Sequence, residues 1–223
     1  MSIRKALGIS LVLLLSVAAS CGRKDRPVIA VVPKSQASIL VTIFDSGINT
    51  DKYLSYVSTD NYKGGALAAE RLGAILPAGG EIAVIGTIPG SVSTTERENG
   101  FRDTVTLKFP QLKIAAFRYG MADRAKSLAV AEDILTAHPD LAGIFCSNES
   151  GTVGAVQGAR SKGLILQNPF RMGYLGVKTI VDRLHGTVPP KRIDTGATAV
   201  TADNLNQPAI QELVNPPIDK YLR

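Results

Sequence analysis

Along the chain, short unbroken apolar runs alternate with longer stretches in which apolar residues recur every three or four positions. The runs at 28–32, 39–44, 81–88, 113–118 and 141–146 read as buried strands, rich in Val, Ile and Phe and bounded by Gly, Pro, Asp or Asn. The spaced stretches read as helices. Beyond Asp60, an N-cap residue, Gly65, Ala68, Ala69, Leu72 and Ile75 form one stripe that stops at Pro77, with Gly79 and Gly80 following. Ser93-x-x-Glu96 and Thr95-x-x-Glu98 both fit a capping box, so a second helix starts there with its first turn facing a strand end. Leu128, Ala131 and Leu135 mark a third over 122–137, ending at His138-Pro139, and 150–162, 171–185 and 207–214 complete the set. Pro189-Pro190 and Pro216-Pro217 mark turns. This alternation predicts an α/β protein with a mainly parallel sheet.

One interval breaks the rhythm. VIAVV and ILVTIF are separated by only six residues, whereas a parallel pair needs a crossover of a dozen or more. Six residues leave room for a hairpin and little else.

The N-terminal end changes the picture. Arg4 and Lys5 precede an apolar run over 6–15 and the small-residue stretch SVAASC, which together read as a secretory signal over 1–20, too short for a spanning helix. Val17-Ala18-Ala19-Ser20-Cys21 resembles the lipobox of bacterial lipoproteins. That resemblance implies cleavage before Cys21, lipidation of Cys21, and a tether over 21–27. Cleavage removes Arg4 and Lys5 and so lowers the formal charge of +6 by two; no basic block of five residues exists, which argues against nucleic acid. Cys146, inside LAGIFC, reads as a small core residue. No other apolar stretch reaches 18 residues, so the expectation is a soluble body on an anchor.

In parallel α/β sheets, ligands bind beyond the carboxyl ends of the strands. Those ends read Asp45-Ser46-Gly47, then Pro89-Gly90-Ser91 leading to Arg97, then Ser147-Asn148-Glu149. IFDSGINTDKYLSYVSTDNYKGG, STTERENGF, IFCSNES and QNPFRMGYLGVKT resemble the sugar-binding periplasmic proteins of ABC importers, the ribose-binding type above all, over nearly all of 28–222. The resemblance implies the type I periplasmic binding protein fold: two Rossmann-like lobes of parallel sheet flanked by helices, joined by three crossing strands and closing on a small sugar. It places 28–78 and 168–190 in one lobe, and 79–167 and 191–223 in the other. It further implies a monomer in the periplasm or cell envelope, an ABC permease as partner, no metal, no cofactor and no catalysis. Residue by residue, it assigns Asp45, Arg97, Asn148 and Gln167 to the sugar. Carboxylate, guanidinium and amide groups together suit hydroxyls that both donate and accept.

Set against the family pattern, the join at 34–39 skips about two βα units of roughly 30 residues each, and RSKGLILQNPF skips about one more. The first gap removes ring-stacking aromatics and the second a carboxylate. The other aromatic position of the family falls near Ala122, with Tyr119 the only aromatic close by. Loss of two charge-assisted bonds at about 1.5–3 kcal/mol each lowers affinity by roughly 10² to 10⁴. A chain that no longer binds sugar is one alternative.

A second is an aspartic-protease-like hydrolase, because FDSG and IDTGATAV carry Asp45 and Asp194 in the Asp-Ser/Thr-Gly pattern of such enzymes. That chemistry needs two carboxylates close enough to share a proton. His138 and His185 sit at helix ends without metal-ligand neighbours at useful spacing. Simpler duties also exist for the site residues: Asp45 as a turn cap, Asn148 satisfying backbone where a strand meets a helix, and Arg97 paired with Glu96 or Glu98.

Overall fold

A computed structural model describes residues 40–156, 163–216 and 218–220. The predicted strand at 28–32, the signal over 1–20, Cys21 and the join at 34–39 lie outside the described residues, as does the end of the helix predicted over 150–162. In chain order the elements are β1 (Thr42–Phe44), β2 (Ser55–Ser58), α1 (Asn61–Ile75), β3 (Gly80–Gly86), α2 (Val92–Lys108), β4 (Leu112–Tyr119), α3 (Arg124–Ala137), β5 (Gly143–Cys146), α4 (Glu149–Val156), β6 (Leu164–Gln167), α5 (Pro169–Leu184), β7 (Arg192–Asp194), β8 (Ala197–Val200) and α6 (Pro208–Val214). A 3-10 turn follows at Ile218–Lys220.

The strands make two parallel three-stranded sheets, ordered β1-β2-β7 and β4-β3-β5, and one antiparallel pair, β6-β8. Helices flank the parallel sheets, as the alternating pattern predicts. β3 is the axis of the larger core because it is buried on both faces. Ile82 and Val84 pack with Ala69, Phe101, Val105 and Leu112. The intervening Ala83 and Ile85 pack on the other face with Ala116, Ala131, Ile134 and Ala155. Phe101 stacks on Phe145 at 4.1 Å between ring centres, which locks α2 onto β5.

β2 escapes a reading based on apolar runs, since three of the four residues of SYVS carry a hydroxyl, yet all four are buried. Two hydroxyls reach across to a distant segment: Ser55 Oγ donates to the Pro190 carbonyl at 2.8 Å, and Thr59 Oγ1, just beyond the strand, donates to the Gly196 carbonyl at 3.2 Å, while Ser58 Oγ is buried without a hydrogen-bond partner. Those bonds bring the 190–196 segment alongside β2 as β7. Strands β6, β7 and β8 are likewise too short and mixed to stand out in the sequence.

Asp60 caps α1 where the sequence places it, while Asp123 and Asn168, not read as caps from the sequence, start α3 at Arg124 and α5 at Pro169. Asp60 Oδ1 accepts from the Lys63 amide at 3.1 Å, Asp123 Oδ1 from Lys126 at 2.8 Å, and Asn168 Oδ1 from Arg171 at 2.8 Å. The capping boxes expected at Ser93 and Thr95 do not form. α2 begins at Val92, which puts both hydroxyls inside the helix rather than at its N-cap.

α1 and α2 touch along their backbones. A Cβ on Gly65 would collide with the Arg97 carbonyl, and one on Gly100 with the Tyr62 carbonyl. The sequence division at residue 78 sets α1 with the first lobe; in the structure Ala69, with Leu72 packed beside it, joins the core of β3 and α2. The same division sets 191–223 with the second lobe, while β7 pairs with β2. α5 lies across β1 and β2, burying Met172, Gly176 and Thr179.

Candidate functional site

The carboxyl ends of β1, β3 and β5, the start of α1, the first turns of α2 and the end of β6 converge on one polar cluster. Arg97 stands at its centre. Its Nε donates to Asn61 Oδ1 at 2.8 Å and its Nη1 donates to the Ser147 carbonyl at 2.9 Å. Burial pushes the guanidinium pKa below its ordinary value, against the Asp45 and Glu98 charges, which favour the cation. Neither acid beside it in sequence is its hydrogen-bond partner: the guanidinium runs to an amide and a backbone carbonyl instead.

Glu98 has a different duty. It is buried, and its Oε1 accepts from the Thr87 amide at 3.1 Å and from Ser147 Oγ at 2.8 Å. The Thr87 and Ser147 hydroxyls also bond each other at 2.9 Å. The carboxylate thus ties the tip of β3 to the tip of β5 and fixes the Ser147 carbonyl that holds Arg97.

Asp45 follows β1 in a left-handed conformation, φ 66°, which short polar side chains tolerate better than most. Its amide donates to the Val57 carbonyl at 3.0 Å, and its own carbonyl accepts from the Tyr56 hydroxyl at 3.3 Å. Next to it, Ser46 Oγ donates to Ser93 Oγ at 3.2 Å, so the β1 tip rests on the N-terminus of α2. The carboxylate of Asp45 is exposed and its charge is felt at Arg97.

Gln167 reaches the same cluster. Its Nε2 donates to Asn61 Oδ1 at 3.4 Å, so one amide oxygen receives both Gln167 and Arg97. Asn148 follows Ser147 directly, but its side chain turns into the start of α4: Oδ1 accepts from the Gly151 amide at 3.0 Å and Nδ2 donates to Ser150 Oγ at 2.7 Å. Asp45, Arg97 and Gln167 are therefore drawn together, while the Asn148 amide serves the helix cap.

Asn61 and Glu98 were not singled out as site residues from sequence. Asn61 is fully buried, and besides its two donors it gives Nδ2 to the Thr59 carbonyl at 3.2 Å. A buried asparagine just past an N-cap was the available signal, because its amide must find partners there. Tyr119 lies near Glu98: a Cβ on Gly86 would come within 2.8 Å of its ring and 2.9 Å of Glu98 Oε1.

The carboxylates of the proposed dyad are not paired. β2 lies between β1 and β7, which sets Asp45 and Asp194 two strand spacings apart, roughly 9–10 Å. Asp194 Oδ1 instead accepts from the amides of Asp60 at 2.9 Å and Gly196 at 2.8 Å. His138 bonds Glu81 at 3.1 Å and His185 caps α5; among the described residues, no group of three or more potential ligands could hold a metal. Cys146 is half-buried, and burial pushes its thiol up to about 12.

Residues 31–164 match the periplasmic binding protein domain. The ribose import binding protein of Bacillus subtilis is 30% identical over 85% of this chain and 62% of its own length. That of Escherichia coli is 28% identical over 60% of this chain and 45% of its own length, so the chain spans less than two thirds of either relative. Among solved structures, a carbohydrate transporter solute binding protein from Agrobacterium radiobacter, in complex with D-arabinose, superposes with a TM-score of 0.75. It is 31% identical and covers 80% of this chain and 71% of its own. An ABC transporter solute binding protein from Agrobacterium vitis with bound D-fucose gives 0.73 at 28% identity, over 78% of this chain and 70% of its own.

Proposed function

The chain belongs to the periplasmic binding protein domain family, and on that premise we propose that it is the solute receptor of a sugar ABC importer, taking a pentose or hexose at the Arg97 cluster. One observation carries this reading: Arg97 is anchored by Asn61 and Ser147 while the exposed carboxylate of Asp45 is near enough for its charge to favour the Arg97 cation. A guanidinium held by two of its N–H groups keeps others for an incoming hydroxyl, and a free carboxylate nearby accepts from the next one. Gln167 adds a carbonyl oxygen on the same side, and Tyr119 offers a ring face near Glu98. Asn148 contributes through its place in the loop, with its amide engaged in the α4 cap.

The receptor would hand its sugar to an ABC permease. Cys21 would carry lipid that keeps the chain at the membrane of the cell envelope. Binding is weak, because the shortened scaffold lacks the extra aromatics and the second carboxylate of the family pattern.

Calorimetric titration of the purified chain with a panel of pentoses and hexoses tests the proposal. Heat that saturates for at least one sugar, and vanishes in Arg97→Ala, is expected. No heat for any sugar at millimolar concentration overturns it. Labelling with a radioactive fatty acid, lost in Cys21→Ser, checks the anchor.

A further inference from the structure

α5 is apolar on two faces. One carries Met172, Gly176 and Thr179, buried against β1 and β2, with Thr179 and Thr42 sharing a hydroxyl bond of 3.0 Å. The other carries Tyr174, Val177, Val181 and Leu184, which stand 56, 65, 42 and 71% exposed. Their spacing of three, four and three residues is that of the a and d positions over two heptads. At about 100° per residue the four fall within an arc of roughly 80°, on the side of the helix away from its own sheet. A stripe that narrow is the seam by which one helix packs against another, whereas a helix lying on a sheet turns a wider face to it. Lys178 and Asp182 bond each other within the helix at 2.6 Å, so neither charge folds over the stripe.

We propose that this seam joins two copies of the chain through antiparallel α5 helices, with a two-fold axis at the level of Thr179. The sequence of the stripe supports a copy of itself as the occupant. Antiparallel pairing sets Val177 against Val181 of the second copy and Tyr174 against Leu184 of the second copy. The two middle layers are then small and the two outer layers large, each completed by the same helix turned round, as an isologous contact requires. Opposed helix dipoles favour that direction over the parallel one. The exposed apolar side chains together bury on the order of 1,000 Å² over two copies, the lower limit for a specific interface. The pair is therefore a weak one, in place of the monomer expected from the family. It does not depend on sugar binding.

Sedimentation velocity of the full chain over a concentration series tests the proposal. A monomer–dimer equilibrium with a dissociation constant of roughly micromolar order is expected. The double variant Val177→Glu with Val181→Glu shifts it at least tenfold toward monomer, with the far-ultraviolet circular dichroism of the monomer unchanged. For the register, Val177→Cys chains mixed with Val181→Cys chains cross-link under mild oxidation, while neither variant cross-links to itself. A wild-type chain that stays monomeric throughout, or a dimer that the double variant leaves intact, overturns the proposal. Self-cross-linking of Val177→Cys overturns the antiparallel register. A monomeric wild type whose binding to phosphatidylglycerol vesicles is lost in the double variant shows that lipid, not a second copy, covers the seam.

Discussion

Arg97 and Asn61 are joined by a 2.8 Å bond from Nε to Oδ1, and that same oxygen takes the amide of Gln167 at 3.4 Å. The two residues proposed to contact sugar from α2 and from the end of β6 are thus aimed by one buried side chain. Asn61→Ala leaves a half-buried guanidinium and an amide short of an acceptor, a loss of about 1–3 kcal/mol in stability. Sugar affinity is expected to fall about tenfold or more, since Arg97 is freed to move. Asn61→Asp keeps the acceptor and loses less. Titration and thermal melting of the two variants check this.

Gly65→Ala and Gly100→Ala each force a methyl group into the backbone of the opposing helix. Neither backbone can yield by a rotamer change, so each costs about 1–3 kcal/mol or more. Denaturant unfolding is expected to show lower midpoints at unchanged slope for both.

Glu98→Ala removes the acceptor of the Thr87 amide and the Ser147 hydroxyl, both buried. The expected loss is about 2–4 kcal/mol, with Glu98→Gln recovering part of it because one carbonyl oxygen remains. The β3 and β5 tips also lose their tie, so amide exchange at Thr87 and Ser147 is expected to quicken in Glu98→Ala ahead of global unfolding.

Asp60 gives a pH signature. Burial raises its pKa, but the Lys63 ammonium and amide outweigh that, and the net value lies below the usual carboxylate range. A depressed folded pKa means stability that is fully present above the unfolded value and is lost as pH falls through the folded one. The melting temperature is therefore expected to drop below about pH 4 more steeply in wild type than in Asp60→Asn, which keeps the cap acceptor without the charge.

Cys146 should resist modification. A thiol pushed up to about 12 stays protonated at pH 8, and only the thiolate reacts. Peptide mapping after iodoacetamide treatment is expected to find Cys146 unmodified in the native chain and alkylated in urea.

The larger core was readable in the sequence because β3 and its neighbours are runs of Ile, Val, Ala and Phe with few polar interruptions. β2 was not, because its burial is secured by serine and threonine hydroxyls bonded to a segment more than a hundred residues away. Asp45, Arg97 and Gln167 stood out as polar groups at strand ends or in family-like motifs; Arg97 and Gln167 share the Asn61 oxygen, and the Asp45 charge is felt at Arg97. Asn61 did not stand out. Its role comes from two donors on distant elements, and Asp60 beside it already explained the start of α1. The amide of Asn148 shows the reverse: a residue at a strand end can be claimed by the helix that follows.

The glycine crossing of α1 and α2 has an evolutionary side. The carbonyl that Gly65 touches belongs to Arg97 itself, whose side chain is held by Asn61 one turn earlier on the same helix as Gly65. Backbone and side chain of the central cation are thus gripped by neighbouring positions of one rod. A lineage that enlarged residue 65 would displace the guanidinium from its mark, so ligand preference and the allowed size of a residue that never meets ligand are inherited together.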